Sequence, residues 1–267
     1  MARICFDRII SDRYQPARAE AYRAAVQHFQ ANSLTMMKER NLKPQALGEL
    51  HADDPIVRAK MALINVKKWT NGKTLRCRFL DGEAAWQEKV VENAKIWEQY
   101  ANAKLNFVAD GDAEIRVSFF ADAGSWSAIG TDALVESYFP KYQPTMNFGW
   151  LRGDTPDEEY ERVVVHEFGH ALGCIHEHQS PNVTLNWDTQ AVYRYFSGPP
   201  NFWSKADIDH NVLQKYSPAG LSATPFDIDS IMLYQFAAEL FRDRKPTPSN
   251  TKLSAKDKEM IAQMYPK

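Results

Sequence analysis

The stretch "VVVHEFGHALGCIHEHQSP", residues 163–181, holds four of the chain's seven histidines. His166 and His170 stand at i and i+4, a spacing that puts two side chains on one face of a helix. Two imidazoles so placed can grip a zinc ion, and the neighbouring Glu167 supplies a carboxylate able to take a proton from water. His176 follows His170 by six residues, about 240° around a continued helix and therefore on the wrong side. Gly173 lifts that obstacle. It accepts a left-handed turn without a Cβ penalty, so the helix can stop there and the chain can swing His176 back to the metal. Three neutral imidazoles then hold one catalytic Zn2+ and leave a position open for water. His178 would fill that position, and two residues past a ligand in a newly turned chain it is expected to point elsewhere.

The elements that must position these groups can be read from periodicity. After Asn71-Gly72 the run "KTLRCRFL" alternates Leu75, Cys77 and Phe79 against Lys73, Arg76 and Arg78, as a strand does. Trp86, Val90, Trp97 and Ala101 mark one side of a long helix over roughly residues 83–104. "LNFVA" and "AEIRVSFF" read as two further strands, and "TMNFGW" as a short run behind a loop at 121–144. The zinc-motif helix begins near Thr155 or Asp157, either of which can cap it, with Asp157, Glu158 and Glu159 suiting its positive end. Candidate helices follow at "DTQAVYRYF", "SKADIDHNVLQKY" and "SAKDKEMIAQMY", the last with a capping box from Ser254 and Asp257. Residues 1–70 read as a helical extension, with Pro16 suited to a first helical turn and Asp54 as a cap. Its His28 and His51 are expected to be ordinary surface or edge residues.

Composition bounds the rest. The 267 residues suffice for one substantial core or two lobes around a cleft, and 44% apolar with 25% charged is ordinary for a globular protein. A net charge of -2 without a basic cluster gives no reason to expect nucleic acid or an anionic membrane as partner. Apolar runs stay well below the roughly 18 residues of a membrane helix. Arg3, Asp7, Arg8, Asp12 and Arg13 interrupt any secretory core at the N-terminus, so the expected location is cytoplasmic, or outside the cell by a non-classical route. Cys5, Cys77 and Cys174 are too few and scattered for a disulfide framework and read as small buried hydrophobes.

The pattern His166-Glu167-Phe168-Gly169-His170, then Gly173 and His176, resembles the long zinc motif of the metzincin peptidases. "DIDSIMLYQF" supplies Met232, 56 residues after His176, as the match to that family's methionine-containing turn. Glu177 and the Ser230-x-Met232-x-Tyr234 pattern resemble the astacin branch, and the run from "RFLDG" through "SGPPNFW" is similar to bacterial and fungal astacin-like peptidases. "HQSPNVTLNWD" departs from the Arg/Asp-rich astacin continuation, and the disulfides of secreted astacins are missing. The resemblance covers about residues 68–266. It implies an α+β, metzincin-type zincin fold, with an N-terminal lobe of sheet and helices (71–176), a mostly irregular and helical C-terminal lobe (177–267) and the active-site cleft between them. It also implies that Met232 supports the site by packing, and that Tyr234 is a retractable additional zinc ligand and transition-state hydrogen-bond donor.

The reading that joins these residues is a zinc metalloendopeptidase acting on proteins or peptides, with Glu167 as general base and Tyr234 on the oxyanion. An extended substrate would add to an exposed sheet edge, for which "AEIRVSFF" is the candidate, an inner strand being its alternative. Two rivals share the metal site: a non-catalytic zinc-containing binding protein, and a zinc hydrolase acting on a non-peptide amide or ester. Residues 1–70 carry no Phe-x-Gly-Asp run of the kind that covers zinc in astacin pro-segments, and a built-in structural extension is the preferred reading.

Overall fold

The computed structural model describes residues 67–121, 124–199, 202–216 and 225–267. The helical reading of residues 1–66, with Cys5, His28 and His51, lies outside them. The alternating run beginning at Lys73 forms β1 (Thr74–Phe79), with Leu75 and Cys77 turned into the core. Helix α1 (Ala84–Ala94) follows, then a tighter 3-10 segment (Lys95–Gln99). The helix is thus shorter than the periodicity suggests. Ala101 and Ala103 continue its apolar pattern but already belong to the approach to β2 (Lys104–Phe107).

The sheet is completed by β3 (Ile115–Ser118), β4 (Ser125–Ser127) and β5 (Met146–Phe148), in the order β2-β1-β3-β5-β4. All neighbours run parallel except β4, which pairs antiparallel with β5 through Trp126 opposite Asn147. β3 is therefore an inner strand, and the expectation that it forms the substrate-receiving edge is corrected: β4 and β2 are the edges. β3 pairs on both sides, with β1 and with β5, and its sequence misleads about its faces as well, at Arg116. Its alternation with Ile115 and Val117 reads as one wet face, yet Arg116 is buried under the segment 139–143. Its guanidinium donates to the carbonyls of Gln143 (2.6 Å), Ala113 (3.1 Å), Phe139 (3.0 Å) and Pro140 (3.3 Å). A strand of a parallel sheet buried on both faces is the usual case. Here its polar side chain is satisfied by loop carbonyls in place of water.

Helix α2 (Asp157–Ala171) carries the zinc motif and is buried throughout its second half, Val163 to Ala171. No side chain caps its start. Pro156 occupies the cap position, and Thr155 accepts from the Arg152 amide at 2.9 Å while donating to Trp150 O at 3.2 Å. The first turn instead carries Asp157, Glu158 and Glu159, which suit the positive end of the helix dipole. Trp97 of the 3-10 segment, fully buried, donates its indole N–H to Val165 O at 2.9 Å and locks the two helices together.

Beyond the motif the chain is helical and irregular. Helix α3 (Thr189–Ser197) is capped by Asp188, whose carboxylate accepts from Ala191 N–H at 3.0 Å. The short α4 (Lys205–Ile208) widens into a π-helical turn (Asp209–Leu213). The last helix, α5 (Ala255–Met264), begins with the capping box read from Ser254 and Asp257. Tyr265 at its end reaches back to the first lobe, donating to Leu172 O at 2.6 Å and accepting from Trp69 N–H at 3.1 Å. A mixed α+β sheet lobe and a helical C-terminal lobe thus flank the three motif histidines, the zincin-type arrangement expected. Among the described residues no helix is long and apolar enough to cross a membrane.

Candidate metal centre

Helix α2 presents His166 and His170 one turn apart, and both are buried. The helix ends where Gly173 takes φ +101°, with its N–H on His170 O at 2.8 Å and the Cys174 N–H on Gly169 O at 2.9 Å. That turn carries His176 back toward the helix. The three Nε2 atoms lie 3.0 Å (His170–His176), 3.2 Å (His166–His170) and 3.3 Å (His166–His176) apart. Nitrogens bound to zinc at about 2.0–2.1 Å in a tetrahedron sit roughly 3.3 Å from one another, so the triangle already has the dimensions of a coordination face.

Protonation also fits a metal. Burial, with His170 and His176 close by, holds His166 well below the ordinary histidine value, so the neutral, ligating form prevails. Its Nδ1–H donates to Ile231 O at 2.7 Å, and the Nδ1–H of His170 donates to Cys174 O at 2.8 Å. These bonds fix the tautomer that turns Nε2 toward the shared point. The cluster of His166, His170 and His176 can hold a single Zn2+.

The turn around Met232 lies against this helix. A Cβ on Gly169 would stand 2.5 Å from Met232 Sδ, so the sulfur occupies the space the glycine leaves. Met232 O accepts from the Glu177 N–H at 3.0 Å, which ties the residue after the third histidine to the turn. Ser230 Oγ donates to Asp257 at 2.7 Å and accepts from Met232 N–H at 3.0 Å; the second Asp257 oxygen accepts from Ile231 N–H at 2.8 Å. Asp257 was legible as a helix cap, but its hold on this turn was not, because the partners lie more than twenty residues away. Burial pushes the Glu177 carboxyl up to about 7, opposed by its hydrogen bond from Asp227 N–H at 2.8 Å.

Glu167 is fully buried, next to His166 on the same helix. The Tyr234 ring lies 4.0 Å from that of His176 and 5.6 Å from that of His166, so the structure brings this tyrosine to the cluster. His178 stays out of the triad: its Nε2–H donates to Asn211 O at 3.0 Å. Cys77 and Cys174 are buried thiols, and burial pushes both well above the ordinary thiol range, away from thiolate chemistry.

No family model matches the chain. A solved structure of myroilysin superposes with a TM-score of 0.73 at 42% identity, covering 76% of this chain and 98% of that one. A crystal structure of myroilysin gives 0.60 at 43% identity, covering 75% and 86%. Zinc metalloproteinase nas-30 of Caenorhabditis elegans is 24% identical over 156 residues, which are 58% of this chain and 18% of that longer protein. Identical to myroilysin at 42% of the aligned positions, which span nearly the whole of that protein's chain, and with a three-histidine metal cluster at its centre, the chain belongs to the same family as myroilysin and is related to the metzincin and astacin-like zinc metallopeptidases.

Proposed function

We propose that the protein is a zinc-dependent endopeptidase that hydrolyses peptide bonds in proteins or peptides. The observation that carries this reading is the triangle of buried imidazole nitrogens, 3.0–3.3 Å on a side, with a buried carboxylate between two of them in sequence. Similarity to myroilysin and to a worm zinc metalloproteinase supports it. When bound, zinc supplies a Lewis acid that polarises the scissile carbonyl and acidifies water. His166, His170 and His176 hold it. Glu167 accepts the proton of the attacking water and returns it to the departing amine. Tyr234 donates a hydrogen bond to the oxyanion as charge develops. The substrate runs extended beside β4, the edge strand that pairs antiparallel with β5.

Replacing Glu167 by glutamine tests the reading, since it keeps size and polarity and removes the base. E167Q is expected to fold, to retain zinc near one equivalent by metal analysis, and to lose about 10²- to 10⁴-fold in peptide turnover. Near-normal turnover with full metal loading would remove Glu167 from the role. Cleavage of small esters but not peptides by the parent would replace peptidase with a different zinc hydrolase.

A further inference from the structure

His178 belongs to the histidine-rich stretch but ligates nothing in the triad, and it is only 1% exposed. Its ring packs on two functional rings at once. The centroids of His176, His178 and Tyr234 form a closed triangle: 4.0 Å between His176 and Tyr234, 4.9 Å between His178 and Tyr234, and 5.1 Å between the two histidines. The His178 plane is inclined 31° to each of the other two, and Phe236 meets it edge-on at 5.0 Å.

The ring is also held from outside this cluster. Its Nε2–H donates to Asn211 O, within the π-helical turn Asp209–Leu213. Such a widened turn bonds its backbone differently from an ordinary helix and often marks a functional position. Here the neighbouring carbonyls of His210 and Gln214 accept from Gln179 Nε2 at 2.7 and 3.2 Å. The turn is anchored in turn to α3, where the Tyr193 hydroxyl donates to Asp209. A Phe at 178 would keep the ring contacts but leave the Asn211 carbonyl without this donor, whereas Leu would lose both. The histidine supplies a flat surface and a fixed in-plane orientation together.

We infer that His178 is a positioning residue for Tyr234: anchored to the carbonyl of Asn211, it braces one side of the phenol ring so that the hydroxyl meets the oxyanion without a search. This rests on the catalytic reading of Tyr234 given above. A phenol supported on one face of its ring moves along a defined path and keeps its hydroxyl aimed at the oxyanion, whereas a loose one adds an orientational cost to each turnover. Substrate binding elsewhere in the cleft is untouched, so the signature is a fall in kcat with little change in KM.

A double-mutant cycle decides the matter, using the full chain with verified zinc content: parent, H178L, Y234F and the double variant. H178L is expected to retain zinc and lower kcat about tenfold with KM within about twofold. The double variant is expected to be no worse than Y234F alone, because the ring to be positioned has lost its hydroxyl. Additive losses would overturn the inference while leaving the role of Tyr234 standing. Unchanged kcat in Y234F would overturn that role first, and the inference with it. H178F, which keeps the ring contacts and loses only the bond to Asn211, should recover part of the kcat lost in H178L; an equal loss would overturn the ring contact, and full recovery would overturn the anchoring by Asn211. An independent readout is NMR of ring-labelled tyrosine in the zinc-free protein. The Tyr234 signal, assigned by its absence in Y234F, should shift in H178L far more than in H178F, and an unmoved signal would count against the brace.

Discussion

At Gly169 the helix has no room for a side chain. A Cβ there would lie 2.5 Å from Met232 Sδ and 3.0 Å from Trp97 Cζ2. Glycine within a helix costs about 1 kcal/mol relative to alanine, so its presence here reflects close approach and not propensity. The G169A variant should lose about 1–3 kcal/mol in a denaturant titration, the usual range for overpacking a core. It should also bind zinc more weakly, since the displaced turn carries the Ile231 carbonyl that orients His166. Unaltered stability and affinity would show that Met232 has slack to move. The ligand histidines and Gly173 were legible because their relation is local, a matter of turns within eleven residues. The need for glycine at 169 was not, because the sulfur that demands it arrives from 63 residues away.

The elements were legible in kind and less so in their neighbours. β1 announces itself by alternation, yet which strand lies at the edge depends on which strands pair beside it. Arg116 reads as solvated until loop carbonyls are found around its guanidinium. The short β4, Ser-Trp-Ser, carries too few residues for a period to show. Helix α5 likewise proves to be more than a closing helix. Through Asp257 it holds the Met232 turn, accepting from Ser230 Oγ, Ile231 N–H and Ser254 N–H. D257A should therefore cost about 2–4 kcal/mol, as buried donors lose a shared acceptor. A cost below about 0.5 kcal/mol would mean that water replaces the carboxylate. The difference should depend on pH in a defined sense. Burial raises the folded-state value of Asp257 above its ordinary value, so the fold binds its proton more tightly than the unfolded chain does. The parent's advantage over D257A is fully present below the unfolded carboxylate value and shrinks as pH rises through the folded one. Urea melts of chelator-treated protein across that window would check the sign without interference from zinc.

On the scale of the molecule, the metal cluster joins the long buried helix to the chain that enters the second lobe. Zinc that binds the folded form alone must stabilise it, by about 2.7 kcal/mol when free metal stands at a hundred times Kd. Chelation should lower Tm and abolish peptide cleavage, and added zinc should restore both. A Tm indifferent to chelator would place the metal's contribution outside the folding equilibrium. The end of α2 bears on how the metal is taken up. Ala171 O accepts from the Trp69 indole at 2.7 Å and Leu172 O from the Tyr265 hydroxyl at 2.6 Å, so carbonyls that would ordinarily fray into water are pinned by side chains from both ends of the described fold. Amide exchange in this last turn should then be as slow as in the middle of the helix, with or without zinc. Ion capture would find its cage already assembled, and its speed would be set by encounter and by shedding of the ion's hydration, with no refolding delay.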